Sequence, residues 1–204
     1  ASNVVPMGNG FMQTEACTLV SLGAASLVMG DNNVTVSESE LVALGMVVDA
    51  GYDYPSHLVD FAVTGADLGH NYKVVMPLSQ PLPNGAVYRK YLGENIGWQM
   101  FVENADNAVA TASALKGACP HTGSEAYTPG LTAGDNCLQL LIQDGGPNDS
   151  DGAVNGTTTD TGGIAVKFIG TPSKNSEVLL RQTVITANAV DSTVVTVTAY
   201  DDQG

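Results

Sequence analysis

Clusters of Gly, Pro, Asn and Asp recur along this chain roughly every 8 to 15 residues, a spacing that leaves room for strands but for few helices. The intervals hold runs rich in Val, Thr and aromatic residues. They read as strands over 34–36, 41–48, 58–63, 72–76, 86–91, 98–102, 137–142, 164–169, 178–185 and 193–200. In the last run Val195, Val197 and Ala199 alternate with Thr196, Thr198 and Tyr200, the period-two pattern of a strand with one buried face. Many short strands with little between them predict an all-β fold: an antiparallel β-sandwich, Ig-like or jelly-roll-like, with long loops and little helix.

Two segments fit this pattern less simply. Residues 15–29 are rich in Ala, Leu and Ser, and read as a short helix or as one long apolar strand. Residues 105–115 carry helix-forming alanines, but Asn104, Ala105, Asp106 and Asn107 suit a hairpin turn, with 109–112 as the returning strand. The hairpin is the favoured reading. Residues 1–49 read as an N-terminal extension that carries the first strands and a candidate donor strand, and residues 50–204 as the sandwich domain. The other division takes 1–204 as a single domain, and a soft boundary falls near 170–175.

The 204 residues are enough to bury a real core. Seven Lys and Arg stand against 21 Asp and Glu, a net charge of −14, so the chain repels phosphate backbones and anionic membrane surfaces. Nucleic acid is therefore not expected as a partner. No apolar run approaches the roughly 18 residues of a membrane span. The first residues, Ala1, Ser2 and Asn3, show neither an initiator Met nor a secretion signal, as expected of a processed product.

Cys119 and Cys137 bracket an irregular loop rich in Gly, Pro, Ser and Thr. A disulfide between them would restrict the unfolded chain, stabilising the fold by about 3 kcal/mol, and implies an oxidising compartment. Cys17 is left over. A buried thiol is the favoured reading, with a bridge to another subunit and an attachment point as the alternatives.

The densest group of oxygen donors runs from Asp144 to Gly163. Asp149, Asp151, Gly152 and Asn155 follow the pattern Asp-x-Asp-Gly-x-x-Asn, and Asp144 and Asp160 flank it. A tight turn that aims several carboxylate and amide oxygens at one point is what calcium requires. Asp144, Asp149, Asp151, Asn155 and Asp160 are accordingly the candidate ligands of a calcium-stiffened loop. Pro147 and Thr158 stand at the first and twelfth places of the corresponding EF-hand frame, so this is no EF-hand. The competing reading is an Asx-rich turn whose side chains hydrogen-bond their own backbone.

Catalytic motifs are missing: there is no Gly-x-Ser-x-Gly elbow, His-Glu-x-x-His helix, phosphate-binding Gly-rich loop or Cys-x-x-Cys pair. His57, His70 and His121 lie in loop-like surroundings and read as surface residues. No enzyme is expected. Trp98, with Tyr88 and Tyr91, offers a candidate aromatic surface for sugars, although a sandwich of this size needs such residues as core anchors.

The runs 61–65, 83–91, 97–102, 126–131, 137–140, 144–149 and 160–163 together resemble the bacterial choice-of-anchor U domain of secreted and surface proteins, and the resemblance covers about residues 50–166. It implies a secreted or cell-surface location and no enzymatic activity. Members often carry the domain near a C-terminal sorting signal, whereas here two further strand-like runs follow and the sequence closes on Asp201, Asp202, Gln203 and Gly204, so cell-wall anchoring is not expected. The expectation is a secreted structural protein that self-assembles into an extracellular filament or surface layer, stabilised by calcium and a disulfide. Its partner would be a second copy, joined by strand addition in which an extended segment completes a neighbour's sheet. The alternative is a monomeric adhesion or carbohydrate-binding module.

Overall fold

Residues 2–8, 10–30, 32–114 and 118–167, with the backbone of 177–180 and 195–198, are described by a computed structural model. In chain order, β1 (Val4–Met7) and β2 (Gly10–Thr14) form a hairpin. β3 (Leu19–Leu22) leads into α1 (Ala24–Met29), and β4 (Thr35–Val36) into α2 (Glu38–Ala43). Then come β5 (Tyr52–Asp53), β6 (Leu58–Thr64), β7 (Asn71–Pro77), β8 (Ala86–Tyr91) and β9 (Trp98–Met100). β10 (Ala108–Ala112), β11 (Thr128–Pro129), β12 (Cys137–Gln143) and β13 (Thr157–Lys167) complete the first of two compact units, Ala1–Lys167. Within the second unit, Phe168–Gly204, β14 (Glu177–Leu180) and β15 (Val195–Thr198) pair antiparallel, with Val178 opposite Val197.

The first unit is an antiparallel β-sandwich. One sheet has the order β1-β2-β7-β12-β10-β11; the other has β3-β6-β13-β8-β9, with β4 also on β6 and β5 on β13. The core between them is built from alternate residues: Tyr72, Val74 and Met76 of β7 and Leu138, Leu140 and Ile142 of β12 face Val59, Phe61 and Val63 of β6. The second sheet is covered on its outer side as well. There Leu58, Tyr91 and Trp98 pack with Val36 of β4, Ala25 of α1, Leu41 of α2 and the segment that carries Met46 and Tyr54. Both faces of β6 are thus buried, which is why Leu58, Val59, Asp60 and Phe61 show no polar alternation.

Residues 1–49 are woven into both sheets rather than set apart: β1 and β2 join β7, while β3 and β4 join β6. Residues 41–48, expected as a strand, instead contribute Leu41–Ala43 to α2 and then run irregularly. Ser37 caps this helix by accepting from the Glu40 N–H at 3.2 Å, while Glu40 Oε2 accepts from the Ser37 N–H at 2.7 Å, a reciprocal box that outweighs the apolar run. Residues 15–29 combine the two readings weighed for them, β3 followed by α1. The hairpin at 104–112 is present, with Asn104 bridged to Asn107 and β10 returning. β13 starts seven residues before the strand expected at 164–169. A Cβ on Gly162 would run into the Arg89 carbonyl, so glycine is what lets β13 lie close to β8 here. Of the expected strands 178–185 and 193–200, the parts in β14 and β15 are strand, and the remainder lies outside the described residues.

Candidate functional site

The Gly- and Asp-rich segment links the end of β12 to the start of β13, and its acidic side chains are tied to backbone N–H groups. Asp144, almost fully buried, accepts from Gly69 N at 2.7 Å, Gly156 N at 2.9 Å and Asn155 N at 3.1 Å. Burial pushes its carboxyl up, but the N–H groups of Gly69, Asn155, Gly156 and Thr157 outweigh this and hold it below the ordinary value. Asp149 accepts from Gly145 N and Thr159 N, both at 2.9 Å. Desolvation dominates for Asp149 and raises its carboxyl, against the pull of those two N–H groups. Exposed Asp151 accepts from Ala153 N at 2.8 Å and from Asn155 Nδ2 at 3.1 Å, and Asn155 Oδ1 accepts from Thr157 N at 2.8 Å.

Asp160, the fifth expected ligand, lies elsewhere. It points from β13 into the core, where its carboxylate sits 3.2 Å from Lys90 Nζ and accepts from the Tyr88 hydroxyl at 3.2 Å. Burial lowers the Lys90 amine and raises the Asp160 carboxyl, and each partner offsets the other's shift. The five side chains do not meet at one point. Among the described residues no group of three or more His, Cys, Asp or Glu side chains is arranged to hold a metal ion. Within the loop Asp149, Asp151 and Asn155 accept backbone N–H groups, the hydrogen bonding that the Asx-rich-turn reading expects. Asn148, not singled out from the sequence, extends this network by bonding Val102 N and Val102 O, both at 2.8 Å, and Asn107 Oδ1 at 2.9 Å.

Cys119 and Cys137 are bridged, and Gln139 Nε2 donates to Thr122 O at 3.0 Å inside the closed loop. Cys17, expected as a buried thiol, is exposed. It sits in the turn closed by Thr18 N to Glu15 O and takes φ +68°, which turns it away from the sheets. The expected aromatic surface is also corrected. Tyr88 is 3% exposed, Tyr91 5% and Trp98 8%. Trp98 packs against Tyr54 and Tyr91 at 5.5 Å between ring centroids and donates its indole N–H to Val47 O at 2.7 Å. A ring so covered offers no face to a sugar, and the 46–54 segment that covers it was not legible as a lid.

The sheet edges distinguish one strand from the rest. β1 carries Pro6, β11 carries Pro129, and β3 is bridged at Val20 by Ser2. These devices blunt an edge. β9 has neither Pro nor Lys, and among the described residues its single partner is β8. Leu92 N donates to Gly97 O and Phe101 N to Tyr88 O, so Gly97, Gln99 and Phe101 face β8, while the N–H and C=O groups of Trp98 and Met100 point outward. Beside this edge Ile96, Met100, Val102, Val47 and Val48 are exposed, Ile96 to 60%. Val47 is next to Gly97, and the Tyr52 hydroxyl lies 3.8 Å from Met100 Sδ. Comparison with family models, curated proteins and solved structures finds no match to this chain.

Proposed function

We propose that this chain is a secreted, non-catalytic structural protein whose copies join by strand addition into an extracellular filament or surface layer. The observation that carries this reading is the β9 edge, unpaired among the described residues, with outward backbone groups at Trp98 and Met100 and exposed apolar side chains beside it. A long-lived monomer gains nothing from leaving such an edge open, whereas a second copy that pairs there satisfies the backbone and covers Val47, Ile96 and Met100. The disulfide supports an oxidising, extracellular setting, and no helix among the described residues is long and apolar enough to cross a membrane. The resemblance to the choice-of-anchor U domain points to the same location. In this reading the Asp144–Asp149 loop is rigid without a cation, its carboxylates being matched by N–H donors.

The test is a proline scan of β9 read by light scattering and negative-stain electron microscopy. The Met100 N–H faces away from β8, so Met100→Pro removes an outward donor while leaving the β8 ladder intact. It should abolish assembly and preserve the fold. Gln99→Pro removes a donor to β8 and should damage the fold itself. A wild-type protein that stays a monodisperse monomer at high concentration, or a Met100→Pro variant that assembles normally, refutes strand addition at β9.

A further inference from the structure

Among the described residues, Lys90 and Asp160 form the most deeply buried ion pair, with side chains 1% and 0% exposed. Gly162 of β13 stands opposite Lys90 of β8, so Asp160, two residues along, presents its side chain to the same face, on a diagonal that a long side chain spans. Lys90 Nζ lies 3.2 Å from Asp160 Oδ1 and donates to the Thr159 carbonyl at 3.4 Å. The Tyr88 hydroxyl donates to the other carboxylate oxygen, Oδ2, at 3.2 Å. Gly162 leaves room for this cluster: a Cβ there would stand 2.9 Å from Asp160 Oδ1 and 3.1 Å from Tyr88 Cε1.

An ammonium and a carboxylate held in a core carry a desolvation cost that their attraction offsets only with additional hydrogen bonds. Burial moves both groups toward their neutral forms, an amine and a carboxylic acid. A desolvated lysine is an activated nucleophile, and near-attack separations are about 3–3.5 Å. We propose that Lys90 and Asp160 condense into an intramolecular isopeptide bond that ties β8 to β13. The Nζ lone pair attacks Asp160 Cγ, while the Tyr88 hydroxyl stabilises the negative charge that develops on Oδ2. The Cγ–Oδ1 bond then breaks. Oδ1, carrying the acid proton, takes one proton from Nζ and leaves as water, so the step needs no oxidant or other reactant. The amide that forms is uncharged, which removes the cost of keeping two ions in the core. The reaction is internal to one chain and does not depend on assembly at β9.

Intact-mass spectrometry of the full chain, with its disulfide reduced, should give the sequence mass less one water. Trypsin should release residues 90–116 joined to residues 117–167, because a joined Lys90 no longer offers a cleavage site. This branched peptide decides the matter in the wild type, whether or not any variant folds. Lys90→Met should restore the full sequence mass. Tyr88→Phe should slow joining roughly tenfold or more, followed by mass in freshly expressed protein. A wild type at full sequence mass has an ion pair only and overturns the proposal. So does a water loss that persists in Lys90→Met, or one that maps to Asp144-Gly145 or Asp151-Gly152, where closure to a succinimide sheds the same mass. An unchanged rate in Tyr88→Phe overturns the role given to its hydroxyl.

Discussion

Asp144 shows how one side chain fixes a loop. Three N–H groups from two separate stretches, Gly69 and the pair Asn155 and Gly156, converge on its carboxylate, so its loss leaves several donors unpaired at once. An unsatisfied buried donor costs about 1–3 kcal/mol, so Asp144→Ala should lose about 3 kcal/mol or more in urea denaturation. Asp144→Asn keeps the shape and removes the charge. Because the folded carboxyl is held below its ordinary value of 3.8, its charge contributes stability in full above that value. The contribution fades as pH falls through the lower folded value, so the margin of wild type over Asp144→Asn should shrink in acid. A margin constant across that range would show that the charge is not what the N–H groups recognise. For Asp149 the sign reverses: its raised carboxyl makes ionisation oppose the fold as pH rises through the folded value. The sequence displays all these residues, and the Asx-turn reading was weighed against calcium. What it does not display is that Gly69, some 75 residues earlier, supplies the shortest of the three bonds.

Among the elements, the strands with strong alternation or dense Val and Ile content were legible: β6, β7, β8, β10 and β12 lie where the pattern puts them. Failures came where a local signal competed with it. The Ser37 and Glu40 box turns an apolar run into α2, and Gly162 and Gly163, which look like loop residues, sit inside β13 because the neighbouring strand comes close. β1 and β2 were hidden because each is only four or five residues long and is broken by Pro6 or opened by Gly10. The Cys119–Cys137 bridge was legible because the two cysteines bracket a Gly-, Pro-, Ser- and Thr-rich loop with no regular pattern. It ties Cys137, at the first position of β12, to a segment whose only strand is the two-residue β11. Cys119→Ser with Cys137→Ser should therefore lower stability by about 3 kcal/mol. Denaturation of the oxidised and reduced wild type should show the same difference, and no difference would mean that the β11 pairing alone orders the loop.

At the scale of the molecule, the net charge was plain in the sequence but its distribution was not. Arg89 is bound to Asp49 at 2.6 and 2.8 Å on the outer side of the second sheet, and Lys90 is buried with Asp160 on its inner side. Two adjacent cations of β8 are thus withdrawn from the surface, and Lys73 and Lys167 are the other cations among the described residues of the first unit. Asp49 and Asp160 are buried with Arg89 and Lys90, as are Asp60, Asp144 and Asp149, but the chain's net charge of −14 keeps the protein strongly acidic, so copies that approach along β9 repel before their strands can pair. The exposed apolar side chains there supply attraction at contact, while the repulsion acts over a Debye length, about 10 Å at 0.1 M salt. Assembly should therefore rise with ionic strength, followed by light scattering on the same preparation. Calcium should act only as any divalent cation does, so matched magnesium should promote assembly equally. A chelator should leave the melting temperature of the unassembled protein unchanged, because the Asp144 and Asp149 oxygens already hold their N–H partners. A selective effect of calcium on melting would place a cation in the loop after all, and assembly that weakens with salt would show that charge pairs, not apolar contact, join the copies.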